Sequence, residues 1–183
     1  MVYISGGNEL LDPTEILARL GVKRGSRLAD LGCGGAGHFI IPAAQIVGSN
    51  TTVYAVDIMK SVLRSVTSKA AIEGVNNIKP IWSNLEVFNA TKIPDQSLDF
   101  SLLINILFQS KDDESIIREA VRLLKPGGKL LVIDWNNVPS TIGPAVDDRI
   151  SPDEVKKICA RLKLTLTDEF DAGNYHFGLI FTK

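Results

Sequence analysis

Cysteine, histidine and long apolar runs are all scarce in this sequence of 183 residues, which has two cysteines and two histidines. The two cysteines, Cys33 and Cys159, make neither a disulfide framework nor the cysteine set of a structural metal site. No apolar run approaches the ~20 residues that a membrane-spanning helix needs. The first residues also lack the basic region and long apolar stretch of a secretory signal. We therefore expect a cytoplasmic protein with no membrane span and no metal.

An excess of charge of one sign is missing too, because 20 basic residues face 21 acidic ones and the formal net charge is −1. The basic residues are scattered along the chain and form no arm. Proteins that follow a phosphate backbone usually carry a concentrated basic face, so nucleic-acid binding is disfavoured. The length suits one domain with a sizeable core, and we predict a single domain over 1–183.

Glycines are concentrated in one stretch, residues 27–38, around which the rest of the chain is organised. A short apolar strand at 28–31 leads into Gly32, Gly34 and Gly37, which stand in G-x-G-x-x-G register. Glycine permits a sharp turn and lets a ligand approach the backbone closely. An apolar helix continues from Phe39 and offers free N–H groups at its start. This pattern by itself fits dinucleotide and other ligands alike.

A carboxylate next to the glycines narrows the choice of ligand. Asp30 stands two residues before Gly32, at the end of the strand, where we expect it to face the same crevice. Like charges within ~4 Å repel by roughly 4 kcal/mol at an effective dielectric of ~20, so Asp30 would oppose a pyrophosphate. A ligand with an ammonium and a sulfonium, such as S-adenosylmethionine, would be attracted instead. The competing interpretation is that Asp30 caps the loop by accepting backbone N–H groups.

A second acid ends the next β-rich run, at 52–57. Asp57 lies 25 residues beyond Gly32, where an acid can accept hydrogen bonds from the two vicinal hydroxyls of a ribose. Ile58 and Met59 follow it, and their apolar side chains can flank an adenine ring. The competing role for Asp57 is to cap the helix that comes next.

Three segments together resemble the Rossmann-like (class I) S-adenosylmethionine-dependent methyltransferases. They are Ala-Asp-Leu-Gly-Cys-Gly-Gly-Ala-Gly at 29–37, Val-Asp-Ile at 56–58 and Leu-Leu-Lys-Pro-Gly-Gly-Lys-Leu at 123–130. The resemblance covers nearly the whole chain and is greatest to the small-molecule branch that includes the ubiquinone/menaquinone methyltransferase-like proteins. It implies S-adenosylmethionine as cofactor, S-adenosylhomocysteine as product, no metal and a small-molecule methyl acceptor. It does not identify that acceptor.

The order of elements agrees with the α/β fold that the resemblance implies. This fold is a seven-stranded, mostly parallel Rossmann-like sheet with helices on both faces and a C-terminal antiparallel hairpin. The resemblance further implies that an N-terminal helical segment, 1–25, covers the crevice. The nearly continuous apolar run at 98–104 suits a central parallel strand. We predict strands at 28–31, 52–57, 78–83, 98–104, 129–133, 162–170 and 175–181, and helices at 10–20, 39–47, 59–73, 112–124 and from 151 onward.

Further cofactor contacts are expected at the ends of later strands. Asn84 stands where many family members have an acid, and its amide oxygen can accept a hydrogen bond from the adenine amine beside Leu85. Asn105 follows the fourth strand, at the edge where ligands sit in open α/β sheets. The complete set of predicted cofactor-binding residues is Asp30, Gly32, Cys33, Gly34, Gly37, Asp57, Ile58, Met59, Asn84, Leu85 and Asn105.

The acceptor side is predicted from the residues that follow the fourth and fifth strands. Phe108 and Gln109 follow the fourth strand, and Trp135, after the fifth, can wall an acceptor pocket. Arg149 lies in a loop, 139–150, that can act as a lid. Its guanidinium can meet an anionic group of the acceptor or pair with the acids just before it.

Two residues are candidates for a general base, which methyl transfer needs only if the acceptor must lose a proton. Asp134 follows the fifth strand, and His38 falls in the first turn of the helix after the glycines. Each also has a structural interpretation, as a loop cap for Asp134 and as a packing residue for His38. The catalytic residue therefore stays open at this point.

Three other functions compete with small-molecule methylation. Val-Gly at 47–48 and Asn-Ile-Lys-Pro at 77–80 also resemble fibrillarin-like and tRNA methyltransferases, although the scattered basic residues oppose RNA binding. The glycine spacing and Asp57 fit a nicotinamide-dependent oxidoreductase, which Asp30 and the final hairpin oppose. A non-catalytic cofactor-binding module is the third alternative, because no clear general base stands out.

Overall fold

A computed structural model describes residues 10–138 and 140–183. Residues 1–9 of the predicted N-terminal segment and residue 139 of the predicted lid lie outside the described residues. The elements in chain order are α1 (Pro13–Leu20), β1 (Leu28–Leu31), α2 (Ile40–Val47), β2 (Val53–Asp57), α3 (Lys60–Ile72), β3 (Ile78–Trp82), β4 (Leu98–Ile104), α4 (Asp113–Leu123), β5 (Leu124–Trp135), α5 (Pro152–Arg161), β6 (Thr165–Asp171) and β7 (His176–Thr182). Two short 3-10 turns, Leu107–Gln109 and Val146–Asp148, lie in the loops.

The strands form one seven-stranded sheet in the order β3-β2-β1-β4-β5-β7-β6. Strands β1 to β5 pair parallel with one another, and β7 pairs antiparallel with both β5 and β6. The predicted fold class, including the C-terminal antiparallel hairpin, is confirmed. The chain order reverses between β1 and β4, so a crevice opens there at the carboxyl ends of the strands.

Side-chain caps mark the start of α1 and α5. Asp12 Oδ1 accepts the amides of Thr14 at 2.8 Å and Glu15 at 3.1 Å, and α1 follows directly. Ser151 caps α5 in the same way. Such a side-chain cap typically stabilises a helix by ~1 kcal/mol. Within the described part of the chain, no helix has both the length and the apolar character needed to cross a membrane.

The helices cover both faces of the sheet and bury two apolar clusters. Helices α1, α2 and α3 contribute to the cluster on one face, and α4 and α5 to the cluster on the other. The central strand β4 serves both, with Leu102 and Ile104 in the first cluster and Leu103 in the second. Each such buried side chain stabilises the fold by about 1.5–3 kcal/mol relative to exposure. This two-sided burial explains why the run at 98–104 is almost continuously apolar.

The start of β5 differs from the prediction, which placed a turn at 125–128 and the strand only at 129–133. In the structure β5 already pairs with β4 at Leu124, opposite Leu98, and the pairing resumes with Lys129 opposite Phe100. The residues between make a bulge inside the strand rather than a turn before it. Gly128 is needed there because a Cβ would lie 2.9 Å from the Lys125 carbonyl oxygen.

A buried ion pair holds the segment that connects β3 to β4. The Glu119 carboxylate on α4 accepts the backbone amides of Asn89 at 2.8 Å and Thr91 at 3.0 Å. Arg122, one turn later, donates to Glu119 at 2.7 Å and to the Thr91 carbonyl at 2.9 Å. Burial raises the pKa of Glu119, but the hydrogen bonds from Arg122 and the two amides outweigh it and leave the pKa below its usual value.

We predict that Arg122→Ala lowers the free energy of unfolding by about 3–5 kcal/mol, because it leaves the buried Glu119 carboxylate without its charge partner. Arg161→Ala is the control, since Arg161 pairs with Glu114 at the surface, where a pair contributes about 0–1 kcal/mol. Urea-induced unfolding measures both variants. Equal losses in the two would contradict the importance that we give to the buried pair.

Candidate cofactor-binding site

A cavity of about 840 Å³ opens at the carboxyl ends of β1 to β4. Small-molecule sites commonly measure about 300–1,000 Å³, so this cavity is large enough for a ligand and its co-substrate. Its wall combines the loop after β1, the start of α3 and the segments that follow β3 and β4. The predicted cofactor residues that line it are Gly32, Cys33, Gly34, Asp57, Ile58, Met59, Asn84, Leu85 and Asn105.

The glycine loop lies against the end of β2. The carbonyl of Val56 accepts two amides, from Gly32 at 2.8 Å and from Cys33 at 3.1 Å. Gly34 has a φ of +62°, and beyond Gly34 and its two chain neighbours no described atom lies within 4 Å of the point that its Cβ would occupy. A ligand can therefore approach the backbone here. Gly37 lies outside the cavity lining, at the start of α2.

Asp57 brings a carboxylate to the side of the cavity formed by β2. Its Oδ1 accepts the Met59 amide at 2.8 Å, whereas the N-cap of α3 is Met59 itself and has no side-chain cap bond, so Asp57 is not the cap of this helix. Burial raises the pKa of Asp57, and the amides of Met59, Gly34 and Ile58 oppose that rise. The carboxylate thus contacts both the helix start and the glycine loop while lining the cavity.

Apolar side chains continue the wall beyond Asp57. Ile58 and Met59 line the cavity and are each about half exposed, at 56% and 52%. Leu85, on the neighbouring segment, is buried. Asn84 Oδ1 accepts the Glu86 amide at 3.0 Å, so the oxygen predicted to meet an adenine amine already has one backbone partner. This part of the cavity wall is therefore apolar, apart from the side-chain amide of Asn84.

Sequence reasoning missed part of the lining. Helix α3 contributes Val62, Ser65 and Lys69, and Ser65 Oγ donates to the Gly35 carbonyl at 2.9 Å. Their spacing of three and four residues places them on one face of a helix. That periodicity was available in the sequence, but a helix face gives no sign of a cavity until its partner is known. Other lining residues that were missed are Gly35, Ala36, Ser83, Glu86, Ile104, Ile106, Ser110 and Ile116.

Comparison with known proteins decides the family. A family model described as "Methyltransferase domain" matches residues 22–171. The chain belongs to this methyltransferase-domain family. The match includes the glycine loop and every strand of the sheet except β7, and the resemblance stated from the sequence is confirmed.

One curated relative agrees with this assignment, and two solved structures share the fold. The ubiquinone/menaquinone biosynthesis C-methyltransferase UbiE of Marinomonas sp. is 31% identical over 149 residues, which are 81% of this chain and 58% of that protein. This chain therefore spans little more than half the length of that curated relative. A crystal structure of a SAM-dependent methyltransferase from Aquifex aeolicus has the same fold, with a TM-score of 0.84 and 24% identity over 97% of this chain and 92% of that one. The [4+2]-cyclase SpnF also shares the fold, with a TM-score of 0.77 and 16% identity over 96% of this chain and 81% of its own.

Asp30 occupies a different place in this methyltransferase domain from the one predicted. It is only 3% exposed and lies behind the cavity lining, not in it. Burial raises its pKa to about 7, and the negative charge of Asp57 adds to the rise. Without a ligand, the negative charge on Asp30 is therefore weaker near neutral pH than the fixed charge that the sequence analysis assumed. A positive ligand beside these two carboxyl groups would favour the ionised form of Asp30.

Asn105 and Gln109 lie where β4 ends at the cavity. Asn105 has a φ of +53° and is buried, and its amide donates to the Ile133 carbonyl at 2.8 Å. Gln109 lines the cavity, and its side-chain amide donates to the Asn105 carbonyl at 3.3 Å. Phe108, predicted beside them on the acceptor side, lies outside the lining.

Neither candidate general base faces the cavity. Asp134 is fully buried, and its carboxylate accepts the amides of Trp135 at 2.8 Å, Leu107 at 3.0 Å and Phe108 at 3.4 Å. Burial raises its pKa to about 7 in spite of these amides. His38 Nε2 bonds the Leu11 carbonyl at 2.9 Å and lies outside the lining. Both contacts match the structural interpretations, as a loop cap and a packing residue.

Trp135 and Arg149 also differ from the prediction. Trp135 is buried and lies outside the cavity lining. Arg149 makes no ion pair with a described residue and donates instead to the carbonyls of Asn136 at 2.7 Å and Pro144 at 2.7 Å. The pairing with neighbouring acids was therefore wrong. Among the described residues, no group of three or more His, Cys, Asp or Glu side chains is placed to hold a metal ion.

We predict that Asp30→Asn gains stability relative to wild type as the pH rises. Because the pKa of Asp30 is about 7 in the folded protein and 3.8 as a model value, the folded state binds this proton more tightly. The protonated Asp30 carboxyl therefore adds to the free energy of unfolding of the wild type at pH 4, and this contribution is lost between pH 4 and pH 7. The difference in unfolding free energy should move in favour of the variant by roughly 4 kcal/mol between pH 4 and pH 8.

Urea-induced unfolding at both pH values measures this difference. Asp153→Asn, at an exposed position, controls for the change in net charge. A difference between Asp30→Asn and wild type that does not change with pH would contradict the raised pKa.

Proposed function

We propose that this chain is an S-adenosylmethionine-dependent methyltransferase that acts on a small-molecule acceptor. The observation that carries the proposal is that the open backbone at Gly34 and the Asp57 carboxyl group meet at one cavity, with the buried Asp30 close behind its wall. The chemistry of the UbiE relative, a C-methyltransferase by name, supports the same reaction type. The fold alone would not, since a [4+2]-cyclase shares it.

The residues present fit the proposed cofactor. Asp57 would accept the ribose hydroxyls, and Ile58 and Met59 would contact the adenine ring. The buried Asp30 carboxyl would favour a ligand with an ammonium and a sulfonium, because each positive charge offsets the repulsion between Asp30 and Asp57. Asn105, at the end of β4, would lie toward the amino-acid part of the ligand. These roles follow from the wall on which each side chain lies.

The cofactor, when bound, supplies a methyl group on an activated sulfonium. What the chain adds is orientation, which can lower a barrier by ~7–11 kcal/mol when the reacting atoms are held in line. We place the acceptor on the β4 side of the cavity, where Gln109 offers an exposed amide. Asp134 and His38 have other partners, so we propose no proton transfer to either.

The competing functions fit this geometry less well. A dinucleotide would place its pyrophosphate near Asp30 and Asp57, and Lys69 is the only basic side chain in the cavity lining of the described chain. An RNA substrate would need a concentrated basic face, but the chain has 20 basic and 21 acidic residues with no basic arm. A small-molecule acceptor is consistent with both observations.

We predict that S-adenosylmethionine and S-adenosylhomocysteine bind the wild-type protein in calorimetry, whereas NAD does not. Asp57→Ala should weaken both adenosyl ligands by about 1.5–3 kcal/mol, because charge-assisted hydrogen bonds to the ribose are lost. Asp153→Ala, at an exposed position on α5, is the control and should bind like wild type. Unchanged affinity in Asp57→Ala would remove this residue from the site, and binding of NAD alone would overturn the cofactor assignment.

We also expect methyl transfer from labelled S-adenosylmethionine to a small molecule in a panel of candidate acceptors, because the cavity can hold a co-substrate beside the cofactor. The same assay with total RNA at low salt tests the main alternative. Label found in RNA, and in none of the small molecules, would favour the RNA methyltransferase interpretation.

A further inference from the structure

Three buried nitrogen atoms lie together at the edge of the sheet next to the cavity. Trp135 is 1% exposed and His176 is fully buried, and their ring centroids are 4.4 Å apart. Neither Trp135 Nε1 nor the two ring nitrogens of His176 has a hydrogen-bond partner within residues 10–138 and 140–183. Most buried polar atoms in native proteins are bonded, so three adjacent exceptions require an explanation.

The pleat of the sheet places these rings beside the cavity. Ile104, which lines the cavity, is in register with Ile133 on β5. Residues two apart on a strand share a face, so Trp135 continues this row beyond Ile133. His176 is directly opposite Trp135 on β7. The proposed cofactor contacts lie mainly over β1 to β3, so the two rings lie on the acceptor side.

A short loop, residues 140–149, packs against Trp135, and we call it the lid loop. Its Gly143 packs so closely on Trp135 that a Cβ there would lie 2.6 Å from the ring. No residue of the lid loop is itself buried. Local opening of a segment that buries no side chain requires little free energy. The lid loop can therefore move without disturbing either apolar cluster.

Arg149 is the residue that holds the lid loop in place. Its guanidinium lies 5.7 Å from the Trp135 ring centroid. It donates to the carbonyl of Pro144 inside the loop and to those of Asn136 and Val138, at 2.7 and 2.9 Å, just after β5. The guanidinium thus joins the lid loop to the end of the strand that carries Trp135. Because its N–H groups are already bonded to these carbonyls, Arg149 fastens the lid loop to the end of β5 and does not bind an anion in this state.

We propose, on the basis of the proposed function, that the lid loop opens and that Trp135 and His176 then bind an uncharged hydroxyl group of the methyl acceptor. A neutral histidine offers one N–H donor and one acceptor nitrogen, and the indole adds a second donor. Together they match an oxygen that both donates and accepts. Burial, followed by the positive charge of Arg149, lowers the pKa of His176 to about 4, so the ring is neutral near pH 7.

The first experiment compares stability with activity in His176→Leu. An apolar side chain removes two unpaired nitrogens, so the Tm should rise by about 2–4 °C. Methyl transfer to any acceptor that wild type uses should fall about tenfold or more, as expected for the loss of a hydrogen bond to the acceptor. His176→Phe, which keeps a flat ring, serves if the leucine variant fails to fold. Affinity for S-adenosylhomocysteine should not change in either variant.

The second experiment measures the lid loop directly, without turnover. Trp82→Phe leaves Trp135 as the only tryptophan, and acrylamide quenching of its fluorescence then reports how often it is exposed. Arg149→Gln in this background should increase the quenching constant about threefold or more. Arg118→Gln is the matched control, because Arg118 also lies over an aromatic ring, that of Phe88, but on α4, which packs on the other face of the sheet. It should leave the quenching of Trp135 unchanged.

Each outcome supports or overturns the proposed acceptor site. Full methyl transfer by His176→Leu, or a lower Tm in both His176 variants, would overturn the role of the unpaired nitrogens. Equal quenching of Trp135 with and without Arg149 would overturn the role of Arg149 in holding the lid loop. Failure of the wild-type protein to bind S-adenosylhomocysteine would instead count against the proposed function, and calorimetry separates that case from the other two.

Discussion

The carbonyl of Val56 is the point on which the site depends. It accepts the amides of both Gly32 and Cys33 and so fixes the loop after β1 against the end of β2. This contact brings the open backbone at Gly34 next to the Asp57 carboxylate and keeps Asp30 beneath them. Because β1 and β2 are parallel neighbours, their carboxyl ends meet at one edge, and a single bifurcated acceptor is enough to align loop and strand.

The acids at the strand ends show how surroundings decide the role of a residue. Asp30, Asp57 and Asp134 each end a β-strand or stand next to its last residue. Asp57 is half-buried and faces the cavity, Asp30 is buried beside another carboxyl group, and Asp134 is buried among backbone amides. A carboxylate surrounded by N–H donors stabilises a turn, whereas one at a cavity edge can bind a ligand. Their sequence positions look alike, and only their neighbours separate them.

Buried polar atoms without hydrogen-bond partners distinguish one side of the cavity from the other. The cofactor side of the cavity is well bonded, through Asp57, Asn84 and Ser65. The side toward β5 and β7 instead holds the unpaired nitrogens of Trp135 and His176 under an exposed loop. A chain retains such atoms at a cost in stability, which is common where a site awaits a ligand. The two sides of the cavity therefore differ in how far their polar atoms are hydrogen-bonded without a ligand.

Local sequence determined the elements of this protein, and tertiary structure decided which of their residues meet. Caps, apolar periodicity and glycines act over a few residues, so the strands, the helix starts and the loop with Asp57 could be predicted from the chain alone. The protonation of Asp30, the burial of Asp134 and the carbonyl contacts of Arg149 could not, because each depends on groups that are distant in sequence. The bulge at the start of β5 belongs with these, since it is set by the pairing of Leu124 with Leu98. Burial and long-range contacts act only once the sheet has assembled, so no reading of adjacent residues contains them.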